Sequence, residues 1–263
     1  MSHTVVLVPI YQPVLSALEQ FSLDHSLPLL AEKGREVLFI GPKGLDLAYY
    51  ARRYPGIGFH GYDPVYFGSI RGYNLLLLDP GFYERYAAHE FLLILQTDAV
   101  LLRDDLDHWA ALPYDYVGAP WPQGLPVKVH LDRFEGGNAK TVRALVGNGG
   151  LSLRRVRACQ ALLREFPQAA EHFRQSGSSE DLYFAVMGLL STAFVLPNER
   201  VASLFAWELS PEHYHAINGV PPMGGHAWWK YNPAFWAGFF RMPPPLPEIP
   251  AAHAARSTDP VSP

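Results

Sequence analysis

Apolar residues along this chain come in short runs separated by mixed stretches, and that alternation is the first thing to explain. TVVLVPI (4–10) and EVLFIG (36–41) show no polar residue at every second position, so strands built from them are covered on both faces. IGFHGY (57–62) reads as a third, shorter strand and LLILQTDAVLL (92–102) as a fourth. Between them lie mixed stretches with helical spacing, from about 13 to 33, over 46–53 and over 69–86. Gly34 ends the first of these, and Asp79-Pro80-Gly81 is a turn signal inside the last. Strands that alternate with helices in this way predict right-handed crossover units and a mostly parallel sheet.

The pattern changes after residue 102. YDYVGAPWP (114–122) reads as a short strand running into a Pro/Trp-rich turn, and 123–142 as loop, with Gly136-Gly137 and few apolar periods. GGLSLR (149–154) predicts a strand, 156–166 a helix, 180–190 an amphipathic helix and TAFVLP (192–197) a late strand. From Pro243 onward the chain is rich in Pro, Ala and Ser with no apolar period, the composition of a disordered tail. The expected organisation is one α/β domain over 1–242, a parallel half about 1–102 and a mixed half about 103–242, followed by a tail over 243–263.

Composition narrows the possibilities. At 263 residues and 49% apolar content the chain can bury a large core. A net charge of −4 with scattered basic residues disfavours a nucleic-acid partner. One cysteine, Cys159, excludes an internal disulfide framework, fits a reducing compartment and reads as a packing residue. The opening run is too short for a signal peptide or a membrane span, so the expected location is cytoplasmic, with peripheral association at the inner face of the membrane left open.

Four islands carry candidate chemistry. Gln96-Thr97-Asp98 interrupts an apolar run. A carboxylate deep in a core costs free energy unless paired, and the cheap solution puts Asp98 at the carboxyl end of the strand, where open α/β sheets bind ligands. VGNGGLSLRR (146–155) places Asn148, Gly149 and Gly150 before a strand, where paired glycines allow close approach of a ligand or simply make a tight turn. SGSSEDLYF (176–184) puts Glu180 and Asp181 in a first helical turn; Ser178 with Asp181 three residues on also reads as a plain capping box. MGGHAWWKYN (223–232) joins His226, Trp228, Trp229 and Lys230 in a loop-like setting. Two adjacent tryptophans cannot both face one core from a strand, so one is expected to cover a ligand.

The order of these islands resembles glycosyltransferases of the GT-A fold. More closely, QTDA, DYVGAPW, GNGGLSLR, SSEDLYF and GGHAWW are similar to a bacterial and fungal family of glycosyltransferase-like domains of largely unknown function, over roughly residues 4–240. The resemblance implies a nucleotide-sugar donor, a carbohydrate or glycoconjugate acceptor and a part in polysaccharide assembly. It makes the first half the nucleotide-binding half and the second the acceptor half.

Residue by residue, the resemblance implies that Asp98 matches the last acid of an Asp-x-Asp motif, which binds Mn²⁺ or Mg²⁺ on the donor diphosphate. Gln96 stands where the first acid would be, a departure that removes one negative charge. His226 matches a late histidine that completes the metal shell. Asp181 matches the general base of an inverting transferase, with Glu180 beside it as a second or acceptor-binding carboxylate. Pro9, Tyr11, Tyr73, Asn74, Gln96 and Thr97 are expected to face the nucleotide, and Asn148 and Gly149 the donor sugar. Lys230 is expected near the diphosphate and Trp228 (or Trp229) on a sugar face, while Trp121 is a candidate for acceptor contact that reads first as a buried turn residue. Two other readings stay open: a catalytically degenerate nucleotide- or glycan-binding protein, which Gln96 favours, and a metal-dependent nucleotide-sugar hydrolase.

Overall fold

A computed structural model describes residues 4–129 and 140–240. In chain order the strands are β1 (Thr4–Pro9), β2 (Glu36–Pro42), β3 (Gly58–Tyr62), β4 (Phe91–Leu95), β5 (Ala99–Leu101), β6 (Tyr116–Val117), β7 (Pro120–Val129), β8 (Lys140–Val146), β9 (Leu151–Arg155), β10 (Ala206–Trp207) and β11 (Gly224–His226). The helices are α1 (Ala17–Glu32), α2 (Ala48–Arg53), α3 (Ile70–Leu77), α4 (Pro80–Glu84), α5 (Leu106–Ala111), α6 (Val156–Glu165), α7 (Pro167–Ser176), α8 (Glu180–Leu190), α9 (Glu199–Phe205), α10 (Pro211–Asn218) and α11 (Pro233–Ala237).

The unbroken apolar runs became the middle of a six-stranded sheet, in the order β3-β2-β1-β4-β9-β6. Its first four strands are parallel, and β9 runs antiparallel to both β4 and β6. Every residue of β1 and β4 is buried, because each strand supplies both faces. Val5, Leu7, Leu92 and Ile94 pack with α3, α4, α6 and α8. Their neighbours Val6, Val8, Leu93 and Leu95 pack with α1, α2, α5 and α9. The mostly parallel α/β sheet read from the pattern is therefore the architecture found. Cys159 is buried in the first of these clusters.

Local chemistry sets the ends of α1. Ser16 and Glu19 form a reciprocal capping box, with the Glu19 amide donating to Ser16 Oγ at 3.3 Å and the Ser16 amide to Glu19 Oε2 at 2.9 Å. The cap starts the helix at Ala17 rather than near residue 13. Just past the helix, Gly34 takes φ +64°, a left-handed conformation that glycine reaches without strain.

Three expectations fail for identifiable reasons. The run 92–102 is two strands: β4 stays in the large sheet, and β5 leaves it for a small sheet in the order β10-β11-β5. Residues 123–129 and 140–142 lie in the antiparallel pair of β7 and β8, not in loop; Gly124 and Pro126 sit in a two-stranded ribbon with a register shift between Pro120 and Leu125. Gly136 and Gly137 lie outside the described residues. TAFVLP forms no strand, because Asp115 takes the place of a partner strand. Its amide donates to the Val195 carbonyl, and its Oδ2 accepts from the Val195 amide, both at 2.8 Å. The tail from 243 also lies outside the described residues. Among those described, no helix is long and apolar enough to cross a membrane.

Candidate functional site

Gln96, Thr97 and Asp98 form the turn at the carboxyl end of β4, where the carboxylate escapes the core. The Gln96 amide donates to the Gly150 carbonyl at 2.9 Å, tying this turn to the start of β9. Antiparallel pairing of β5 with β11 then sets His226 opposite Ala99, and the Ala227 amide donates to the Asp98 carbonyl at 2.9 Å. That register carries a histidine from late in the chain to the strand-end acid. Asp98 Oδ1 lies 3.1 Å from His226 Nε2, and Lys230 Nζ lies 2.7 Å from Asp98 Oδ2. On its far side His226 Nδ1 meets Glu208 Oε2 at 3.0 Å, and Gln96 Oε1 lies 3.2 Å from Nε2.

The charges in this cluster depend on one another. Burial works against the imidazolium of His226, but Asp98 and Glu208 outweigh it and push its pKa up to about 10. Burial likewise opposes ionisation of Asp98, yet His226 and Lys230 hold its carboxyl well below the usual carboxylate range. Desolvation lowers the Lys230 pKa and the Asp98 contact more than restores it, a net rise.

The donor set also fits a hard divalent cation. Nε2 of His226, Oδ1 of Asp98 and Oε1 of Gln96 converge on one another, and Glu208 on Nδ1 fixes the ring in the orientation that metal-binding histidines use. Uptake of a cation on Nε2 displaces the proton held there. Among the described residues no cluster of three His, Cys, Asp or Glu forms a site, so a cation held here would need the amide of Gln96 as its third donor.

Asp181 stands across the Asn148–Gly150 loop. Its Oδ2 accepts from the Gly149 amide at 3.2 Å, and it is not part of a capping box: the N-cap of α8 is Ser179, whose side chain makes no cap bond. Glu180 departs from the expected role. It is 3% exposed and its two oxygens are taken by Arg154, at 2.9 and 3.0 Å, so it is held as an ion-pair partner and not presented as a second carboxylate. Burial raises the Glu180 pKa, against the lowering effect of Arg154.

The two glycines have a tighter reason than a turn. A Cβ on Gly149 would lie 2.2 Å from Glu180 Oε1, and one on Gly150 would lie 2.1 Å from His226 Nε2. Neither takes a positive φ; the left-handed residue of the loop is Asn148, at φ 60°. Gly150→Ala is therefore expected to fold, pushing the His226 ring aside, and to weaken Mn²⁺ binding about tenfold or more by isothermal titration calorimetry. Unchanged Mn²⁺ affinity would show that His226 lies outside the cation's shell.

These groups open onto one cavity of about 850 Å³. It is lined by Pro9, Tyr11, Tyr73, Asn74, Gln96, Thr97, Asp98, Asn148, Gly149, Glu180, Asp181, His226 and Lys230, so the structure brings together all but one of the expected site residues. The exception is Trp228. It is fully buried in an aromatic cluster with Trp207, Tyr214, Trp236 and Phe240, and its Nε1 donates to Ser22 Oγ at 2.9 Å. Trp229 is the tryptophan that faces the cavity. Trp121 lines it too, from β7 and not from a turn.

Three further residues were not singled out by the sequence pattern. Glu208 follows the apolar run ending at Trp207, the same signal that marked Asp98. Glu19 lines the cavity and accepts the Thr97 hydroxyl at 2.7 Å; as half of a capping box it reads as purely local. Arg154 belongs to the basic group Arg154, Arg155 and Arg157, which reads as a solvated helix start and gives no hint of burial.

Comparison with known proteins adds the family and the fold. The family model described as protein of unknown function (DUF5672) matches residues 56–226. No curated protein matches the sequence. Two solved glycosyltransferase structures share the fold. Mouse xyloside xylosyltransferase 1 in its apo form aligns with a TM-score of 0.50 at 11% identity, over 84% of this chain and 96% of its own. The galactosyltransferase LgtC, in complex with donor and acceptor sugar analogs, aligns with a TM-score of 0.53 at 13% identity, over 84% of this chain and 86% of its own. The fold is thus GT-A-like.

Proposed function

This chain belongs to the DUF5672 family of proteins of unknown function, and on that footing we propose that it transfers a sugar from a nucleotide-sugar donor to a hydroxyl of a carbohydrate or glycoconjugate, with inversion. One observation carries the reading. Gly149 donates to Asp181 and Gly150 lies against His226, so adjacent residues of one loop bring a carboxylate and the Asp98–His226–Lys230 cluster to the same cavity. Transfer with inversion needs a base on one side of a sugar and charge stabilisation on the other.

In this scheme Pro9, Tyr11, Tyr73, Asn74 and Thr97 receive the nucleoside, and Asn148 and Gly149 the donor sugar. Asp98, His226 and Gln96 would hold Mn²⁺ or Mg²⁺. That cation, when bound, supplies positive charge to the diphosphate. Lys230 adds a second positive charge at the same end. Asp181 takes the proton of the acceptor hydroxyl as its oxygen bonds to the anomeric carbon. The bond from that carbon to the phosphate oxygen breaks, and its electron pair leaves with the diphosphate. Trp229 and Trp121 offer apolar faces to a sugar ring. Set against His226, Lys230 and the buried Arg154, the cavity acids Glu19, Asp98, Glu180, Asp181 and Glu208 still leave a negative excess, which disfavours a bare diphosphate and favours one arriving with its cation.

A thermal-shift screen of nucleotide-sugars with and without Mn²⁺ tests the reading. A true donor at a hundred times its Kd is expected to stabilise the fold by about 2.7 kcal/mol, and only with the cation. No shift with any nucleotide-sugar, with or without Mn²⁺, would remove the donor from the proposal. Turnover of a donor with water alone, unaffected by any sugar acceptor, would favour a hydrolase.

A further inference from the structure

The most deeply buried charged residue among those described is not used by that chemistry. Arg154, on β9, is fully buried behind the cavity, among Tyr83, Tyr116 and Phe184. Its Nη1 donates to Tyr83 Oη at 3.1 Å and to Glu180 Oε2 at 3.0 Å, and its Nη2 to Glu180 Oε1 at 2.9 Å and the Gly149 carbonyl at 3.5 Å. Its Nε donates to Ser152 Oγ at 3.0 Å, and that hydroxyl donates to the same Gly149 carbonyl at 3.0 Å. Apart from the contact with Tyr83, these donors reach the Glu180 carboxylate at the start of α8, the Gly149 carbonyl, or Ser152 Oγ, whose hydroxyl holds that same carbonyl.

We propose that Arg154 is a positioning residue, which fastens the Gly149 carbonyl to the Glu180 carboxylate and so fixes Asp181 against the Gly149 amide. Three features support it. A buried ion pair is a poor device for stability alone, since apolar residues of similar volume do as well or better. Its partner Glu180 is the immediate neighbour of Asp181, at the start of a helix whose N-cap side chain makes no bond, so the ion pair anchors the first turn that the cap leaves loose. Gly149 leaves no room for a Cβ between its own backbone and the pair: a Cβ would lie 2.2 Å from Glu180 Oε1 and 3.1 Å from Arg154 Nη2. The loop is therefore seated directly on the ion pair, and one rigid unit carries the amide and the carboxylate that face each other across it.

The inference that Arg154 governs turnover rests on the transferase reading; the inference that it fixes Asp181 does not. The test uses the paired replacement Arg154→Met with Glu180→Leu, which leaves no buried charge alone, and Arg154→Lys as the conservative variant. Hydrogen exchange is read at Gly149, Asp181 and Leu182 against strands β1 and β4. The paired variant is expected to unfold cooperatively and keep the strands protected, while exchange at the three site amides rises about tenfold or more, with Arg154→Lys between it and wild type. On a donor that wild type turns over, kcat is expected to fall about tenfold or more with the donor KM within twofold. Unchanged exchange at the three amides in the folded paired variant overturns the proposal. If the paired variant does not fold, the same readings on Arg154→Lys decide: unchanged site exchange overturns it. If wild type turns over no nucleotide-sugar, the transferase reading fails, and exchange alone still decides whether Arg154 fixes Asp181.

Discussion

Asp98→Ala is expected to abolish the Mn²⁺ dependence of nucleotide-sugar binding and to weaken donor affinity in the presence of Mn²⁺ by about a hundredfold or more. Asp98 supplies the one carboxylate of the proposed donor set, and the remaining imidazole and amide are neutral ligands that hold a hard cation weakly. The substitution also frees Lys230, which is close to half exposed and can return to solvent, while His226 keeps Glu208 as a partner. The fold should therefore survive, because Asp98 ends its strand at the cavity and is not packed between helices. Isothermal titration of the donor with and without Mn²⁺, alongside thermal unfolding, reads both effects. An Asp98→Ala protein that binds the donor with the wild-type cation dependence would remove Asp98 from the cation site. A collapse of stability with binding intact would make the Asp98–His226–Lys230 cluster a structural lock between β4 and β11.

The parts of the fold that were legible in the sequence are those whose cause is local. TVVLVPI and EVLFIG are apolar without alternation because both faces are covered along all of β1 and along Phe39–Gly41 of β2, and that signal needs no knowledge of partners. Asp98 was legible because a carboxylate in an apolar run must sit where water or a ligand can reach it. What stayed hidden depends on contacts between distant residues. β5 departs from the large sheet because β11, more than a hundred residues later, pairs with it, and nothing in AVL records that. TAFVLP has the composition of a strand, yet the carboxylate of Asp115 satisfies the Val195 amide that a neighbouring strand would have taken.

The candidate site shows the same division. Paired glycines suggested close approach, but the groups that approach are His226 and Glu180, side chains of the protein itself. Glu180 and Asp181 are neighbours of equal charge in the sequence. One turns inward to a buried arginine and the other outward to a loop amide, because consecutive residues at a helix start point about a hundred degrees apart. Trp228 and Trp229 split between core and cavity in the same way. The expectation that only one of the two tryptophans faces a ligand follows from geometry; which one does so depends on the cluster around Trp207 and Phe240.

Asp181→Asn is expected to cut the transfer rate by about a hundredfold or more while leaving donor affinity and stability close to wild type. Asparagine keeps the shape of the side chain, and its amide oxygen can still accept from the Gly149 amide, so the loop contact survives. What it loses is the ability to take the acceptor's proton. An alternative in which Asp181 only holds the helix start predicts the opposite split: a loss of about 1 kcal/mol in stability and little change in rate. The structure sharpens the choice, because the N-cap position belongs to Ser179 and the neighbouring Glu180 is committed to Arg154. Glu180→Gln is therefore the contrasting variant. It leaves Arg154 a neutral acceptor in place of a carboxylate, so it is expected to lower the melting temperature more than Asp181→Asn does, and to reduce the rate less. Both variants are measured for transfer to an identified acceptor, for donor affinity and for thermal unfolding. If Asp181→Asn transfers at near the wild-type rate, the base is not Asp181. With Glu180 locked in its ion pair, no second carboxylate among the described residues accepts from the Gly149 amide to replace it, and inversion through this face of the cavity would have to be abandoned.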